Sequence, residues 1–301
     1  MPSDNKDSSR RQYLPLTDLQ VERLLDRGVN EPRIVCGLKM LGLERIPRHL
    51  QRIAQDTSLP GVSPDKPVSV FCAEDQRIFR AHLDQKPGKQ DEMKVVLLHH
   101  SGSAHDAQRI LDMSSRRPLV TNGLVRPILL LNAEDPECRD LATRNLYATE
   151  TLAPWGPDAL RVHLRHVEAT ELDKKEIREA ILTATGGIPE HVLTSVERLR
   201  SADDRRAVLE DLSFEINARD FQTNAPRMIA ALDLIAGYDN RQASQENYDF
   251  LNEMLVEETG KDLVTLVPDL KAMGLIRQWV PSRCEISVSS LAKRITQADA
   301  D

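Results

Sequence analysis

The stretch Arg33-Ile34-Val35-Cys36-Gly37-Leu38-Lys39-Met40-Leu41-Gly42-Leu43-Glu44 decides the fold. Its first four residues form a short apolar run of the kind that builds a buried strand. Gly37 to Gly42 reads as a loop, and from Leu43 to Gln55 the apolar residues Leu43, Ile46, Leu50 and Ile53 recur at helical spacing. Strand, loop and helix therefore follow one another without interruption. Upstream, Leu16 to Val29 reads as a short amphipathic helix that Pro32 brings to an end. Downstream, strands are expected at Val68 to Phe71, Val95 to Leu98 and Ile128 to Leu131, the last introduced by Pro127, with helices at Gln76 to Leu83 and Ala107 to Met113 between them. Strands alternating with helices predict a parallel sheet covered on both faces.

From Ala148 onward strand-like runs give way to helices, at Lys174 to Thr183 and Pro189 to Leu199. The last part reads as helices at Arg227 to Gly237, Gln245 to Val256 and Lys261 to Met273. Two short segments follow, Leu275 to Val280 and Cys284 to Ser289, joined by a Pro281-Ser282-Arg283 turn. Three helices closed by a hairpin form a winged-helix arrangement. The expected division is a disordered tail over 1–12, an α/β domain over 13–147, a helical region over 148–223 and a winged-helix domain over 224–301.

Composition narrows the function classes. The chain has 301 residues, 40% hydrophobic and 29% charged, which suits a folded multidomain protein, and no stretch reaches the ~18 unbroken apolar residues of a membrane span. A polar N-terminus and the widely spaced Cys36, Cys72, Cys138 and Cys284 point to reduced thiols in the cytoplasm. With a net charge of −7, any contact with nucleic acid has to come from a local basic group.

Four motifs bear on chemistry. A phosphate-binding loop takes the form G-x-x-x-x-G-K-[ST] between a strand and a helix, where backbone amides and the helix N-terminus cradle phosphate while the Lys and hydroxyl meet phosphate and magnesium. Gly37 and Gly42 keep that spacing around Lys39, but Leu43 and Glu44 stand where Lys and Ser or Thr belong. A carboxylate ~4 Å from a phosphate costs about 1 kcal/mol in water and about 4 at an effective dielectric near 20. The plainer reading of the two glycines is an ordinary surface turn. After the strand Val95 to Leu98 come His99 and His100, with His105 nearby. Histidines at a strand end can relay protons or hold zinc, yet their spacing matches no usual zinc signature, so polar residues capping a strand is the plainer reading and no metal is expected. Asn132 follows the strand Ile128 to Leu131 and is either a strand terminator or a polar sensor of a bound group. Finally, Gly186-Gly187-Ile188-Pro189 can close one helix and open the next.

In this order and with the winged helix after them, these features resemble the AAA+ and STAND superfamily of P-loop ATPases across about residues 15 to 296. The resemblance implies a parallel-sheet P-loop NTPase-like domain, a helical lid over 148–223 and a winged helix. It also implies that Gly37 and Gly42 mark the Walker A loop, that His99 and His100 occupy the Walker B acidic positions, and that Asn132 is the sensor-one position. Gly187 and Pro189 then belong to the lid motif that lies against adenine. Because Leu43, Glu44, His99 and His100 replace the residues that do the chemistry, the expected protein has no catalytic residues and no cofactor, with ATP or ADP binding left as an alternative. It is expected to act as a scaffold or regulatory subunit that binds a protein partner, an active ATPase or a second copy. A DNA-binding accessory role through Arg277, Arg283, Lys293 and Arg294 is the other class of reading.

Overall fold

The computed structural model describes residues 16–55, 67–89, 91–212, 214, 226–238 and 243–298. The expected tail, 1–12, lies outside them. The chain divides into two compact units, one spanning Leu14–Leu152 and the other containing Ala153–Asp301.

The first unit is built on five parallel strands: β1 (Arg33–Gly37), β2 (Val68–Ala73), β3 (Met93–His100), β4 (Val125–Asn132) and β5 (Thr149–Thr151), in the order β2-β3-β4-β1-β5. Helices α1 (Asp18–Leu25), α2 (Ile46–Gln55), α3 (Gln76–Leu83), α4 (Ala104–Ser115), α5 (Pro118–Thr121) and α6 (Pro136–Arg144) accompany them. Every residue of β1 is buried, as is all of β4 except Asn132, which is why both strands read as continuous apolar runs instead of alternating ones. This is an α/β sheet of the P-loop NTPase-like kind: β1 lies inside the sheet between β4 and β5, and the strand, turn and helix that follow it lead to the far edge.

β5 was not visible in the sequence. Thr149-Glu150-Thr151 is too short and too polar to announce a strand, and only its pairing with Ile34, Val35 and Cys36 makes it one. The sheet unit therefore runs to Leu152 and takes in residues beyond the expected boundary at 147. Two further contacts tie β5 down: Gln20 Nε2 donates to the Thr151 carbonyl at 2.8 Å, and Arg23 meets the Glu150 carboxylate at 3.2 Å. At the opposite end of the strands Arg126 is fully buried and donates to the carbonyls of Asp26 (2.7 Å) and Val29, which fixes the chain between α1 and β1.

The second unit contains α7 (Pro157–His166), α8 (Lys175–Thr185), α9 (Pro189–Ser201), α10 (Arg205–Glu210), α11 (Pro226–Gly237), α12 (Gln245–Thr259) and α13 (Leu263–Ala272). The antiparallel hairpin β6 (Ile276–Val280) and β7 (Glu285–Val288) and a closing helix α14 (Ser290–Ala298) complete it. Leu160, Leu164, Ile181, Val192, Val196 and Leu199 form the core of α7 to α9. Beside it Asp173 collects three guanidiniums, from Arg178, from Arg165 at 3.5 Å and from Arg161 at 3.9 Å. The closing helix α14 packs against both α8 and α11, so the helical region and the three-helix-plus-hairpin region share one compact body. In the hairpin, Trp279 Nε1 donates to the Tyr248 hydroxyl at 3.1 Å and Lys271 Nζ stands 5.8 Å from the Trp279 ring centre. No helix among the described residues is long and apolar enough to cross a membrane.

Candidate functional site

Ligands of open α/β sheets bind at the carboxyl ends of the strands, where the strand order reverses. Here that place is the junction of β1 with β4. Gly37 is paired with Asn132 across it, and His100 is in register with Leu131 on the next strand. Sheet topology thus brings Gly37, His99, His100 and Asn132 to one edge, with Gly42, Leu43 and Glu44 in the segment that leaves β1.

The segment between β1 and α2 does not form an open phosphate cradle. Instead of a loop followed at once by a helix from Leu43, it folds into two consecutive tight turns, Lys39–Leu41 and Leu43–Arg45, and α2 begins only at Ile46. Four amides are engaged here: Leu41 N–H donates to Leu38 O at 3.0 Å, Gly42 N–H to Lys39 O at 2.8 Å, Arg45 N–H to Gly42 O at 2.9 Å, and Ile46 N–H to Leu43 O. Leu38, Leu41 and Leu43 are all buried, whereas Lys39 and Glu44 face solvent. The leucines dictate this collapse, because burying each such side chain is worth roughly 1.5–3 kcal/mol, more than a solvated open loop offers. Gly42 makes the reversal between the turns, with φ at +96°. Gly37 lies within β1 and is not part of a loop. A β-carbon on it would stand 2.6 Å from the Leu152 β-carbon, so it is glycine for packing reasons.

The two histidines do not act as a pair. Successive strand residues point to opposite faces, and accordingly His99 is exposed while His100 is buried, its Nε2 2.9 Å from the Ser103 carbonyl oxygen. Neighbouring atoms desolvate the His99 ring and lower its pKa, and the Glu44 carboxylate opposes that shift. The Glu44 side chain, on the segment that leaves β1, thus lies near enough to the His99 ring to influence it electrostatically. His105 is exposed on α4. Among the described residues no three His, Cys, Asp or Glu side chains are grouped to hold a metal ion.

Asn132 is engaged in its own turn: its Oδ1 accepts from the Glu134 amide at 3.1 Å and its Nδ2 donates to the Glu134 carboxylate at 3.0 Å. Arg139 on α6 holds that turn through the Ala133 and Glu134 carbonyls, at 2.7 and 3.1 Å. Neither Glu134 nor Arg139 was singled out by sequence reasoning, since nothing local marks a residue whose role is to clasp a neighbouring turn.

In the helical unit Gly186 ends α8 in the left-handed conformation and Pro189 opens α9 at its first position. The Gly187 amide meets Thr185 Oγ1 at 3.1 Å and its carbonyl accepts from Trp155 N–H at 2.8 Å. With φ at +73° and the Trp155 carbonyl oxygen 2.4 Å from any added β-carbon, only glycine fits there. Arg277 and Arg283 are exposed on the hairpin, Lys293 is exposed on α14, and Arg294 is half-buried with its Nε in the interior. The Arg277 guanidinium lies 3.8 Å from the β-carbon position of Gly156.

No protein-family description and no curated protein matches this sequence. Among solved structures it is similar to two variants of RuvB from Thermotoga maritima, at 13% identity and a TM-score of 0.36 each, with 98% and 97% of this chain and 95% and 94% of those chains covered. It is likewise similar to Cdc6p from Pyrobaculum aerophilum, at 10% identity and a TM-score of 0.36, covering 100% of this chain and 96% of that one. The α/β assignment rests on the strand order and register of the sheet itself.

Proposed function

We propose that this chain is a non-catalytic scaffold or regulatory subunit of AAA+ and STAND type, with a lid and a winged helix, that works by binding a protein partner. One observation carries the reading: in the segment Leu38 to Ile46, where a phosphate loop would sit, the Leu41, Gly42, Arg45 and Ile46 amides bond to carbonyls of the same segment, and Leu38, Leu41 and Leu43 are buried. A nucleotide would have to break those bonds, extract leucines and approach the Glu44 carboxylate, with no lysine at position 43 to attract it. The remaining site positions serve structure in the same way, Asn132 as a turn cap and Gly187 as a helix joint. Calorimetry and thermal shift with ATP and with ADP, with and without magnesium, test the reading. No binding and no shift at millimolar nucleotide is expected, and saturable binding of either nucleotide would replace the scaffold with a nucleotide-gated regulator.

DNA contact through the hairpin is the second reading, supported by the exposed Arg277 and Arg283. Against it, the helix that would enter a groove, α13, begins with Asp262 as its cap, exposes Val264, and has Lys271 set over Trp279. A DNA affinity that falls steeply with salt would support it, and none at low salt would remove it.

A further inference from the structure

α12 carries a second feature that the reading above does not use. Tyr248, Leu251 and Leu255 are buried, and Phe250 and Met254, one turn apart and beside that buried stripe, are 62% and 37% exposed. Glu246, Glu253 and Glu257 run along one flank of that apolar pair and Glu258 lies on the other, all four exposed, and α12 contains no Lys or Arg. A Phe standing largely in water beside a Met is the composition of protein interfaces, not of a solvated helix face.

We propose that this face docks a basic amphipathic helix of a protein partner, with apolar residues along one stripe and Lys or Arg on both flanks. Charge selects that occupant among the alternatives. DNA would bring phosphates against carboxylates. A second copy in a two-fold contact would set the glutamates of one α12 against those of the other, and like charges brought together at a contact oppose it. A lysine-flanked helix satisfies both halves of the surface: its apolar stripe covers Phe250 and Met254, and its ammonium groups meet the glutamates. The proposal specifies the partner class left open by the scaffold reading, and it is tested separately from it, because nucleotide binding at the other unit would leave this face unchanged.

The test is fluorescence anisotropy with the full chain and a synthetic helix of roughly 20 residues, leucines at helical spacing and lysines on both flanks, beside a counterpart with glutamates on the flanks. Saturable binding of the lysine peptide and none of the glutamate peptide is expected. The double variant Phe250→Ser/Met254→Ser keeps every charge and should weaken binding at least about ten-fold. Glu253→Lys/Glu257→Lys keeps the apolar pair and should weaken it comparably. Val162→Ser, at another exposed apolar residue, should leave affinity unchanged. All these positions are solvent-facing, so unchanged melting temperatures verify that the variants fold. Three results overturn the proposal: no binding of the lysine peptide, equal binding by the wild type and the Phe250/Met254 variant, or a sedimentation equilibrium in which the chain self-associates and that variant abolishes it.

Discussion

Gly37 and Leu152 meet so closely that a β-carbon on the glycine would stand 2.6 Å from that of the leucine, with two further Leu152 carbons at 2.8 Å. The first glycine of an apparent phosphate-binding motif is thus required by the residue that follows β5. Leu152 is itself fully buried, and its amide donates to the Cys36 carbonyl at 2.9 Å, so it cannot retreat without breaking the continuation of the sheet. Gly37→Ala should lower stability by about 1–3 kcal/mol through overpacking, measured by chemical denaturation. An unchanged midpoint would mean that the β1 end yields to the added carbon.

Rebuilding the motif should not rebuild the function. Leu43→Lys/Glu44→Thr completes the G-x-x-x-x-G-K-[ST] pattern, yet position 43 is buried and the Leu41, Gly42 and Arg45 amides are engaged in the two tight turns. The variant is expected to melt lower than the wild type, by an amount comparable to a buried leucine lost, about 2–5 kcal/mol, and to show no magnesium-dependent ATP binding in calorimetry. Gain of binding would show that the loop opens readily once the leucine is removed.

Glu44 raises the pKa of His99 against the lowering that comes from burial of the ring. Replacing the carboxylate by an amide leaves burial as the dominant cause. An NMR titration of the His99 ring should therefore give a lower pKa in Glu44→Gln than in the wild type, and an equal or higher value would mean that the two side chains do not interact in solution.

His49 gives a pH dependence with a definite sign. Burial, with Arg52 adding to it, lowers its pKa from 6.5 to about 4. Between those values the unfolded chain binds a proton that the folded chain refuses, so stability rises with pH across the window and falls as the solution is acidified from 6.5 toward 4. At about 1.36 kcal/mol per unit, the loss from this group approaches roughly 3 kcal/mol at the acid end. His49→Leu should remove that part of the acid sensitivity in denaturation curves taken from pH 7 to pH 4, at the same time shifting stability at pH 7 far less.

Thiol reactivity should separate the cysteines of the sheet unit. Burial pushes both Cys36 and Cys138 up to about 12, with neighbouring thiol or carboxylate groups adding to it and Arg139 opposing it, while Cys72 is only half-buried and raised chiefly by that partial burial. Only thiolates react readily. Iodoacetamide at neutral pH, read by peptide mass spectrometry, should modify Cys72 in preference to Cys36 and Cys138, and denaturant should equalise the three.

The alternation of Arg33 to Cys36, Val95 to Leu98 and Ile128 to Leu131 with helical periods was enough to place three strands of a parallel sheet, because strands buried on both faces leave unbroken apolar runs. The Gly186-Gly187 joint was legible for a similar reason, since positive φ restricts the choice of residue. β2 was read two residues short, at Phe71 instead of Ala73, and β5 was missed, because Thr149-Glu150-Thr151 is a strand only by virtue of its neighbour β1. Leu43, Glu44, His99 and His100 could be picked out along the chain as the positions to examine, from the two glycines and the strand ends beside them. Which of those side chains are buried and which face solvent shows only in three dimensions. Leu43 can be read as a missing lysine, but that it joins Leu38 and Leu41 in closing the loop depends on the apolar interior supplied by the rest of the sheet unit. Likewise Gly37 reads as half of a phosphate motif until Leu152, more than a hundred residues later, arrives beside it. Local periodicity and backbone restrictions are written along the chain and can be read there, whereas close contact between distant residues exists only once the chain has packed.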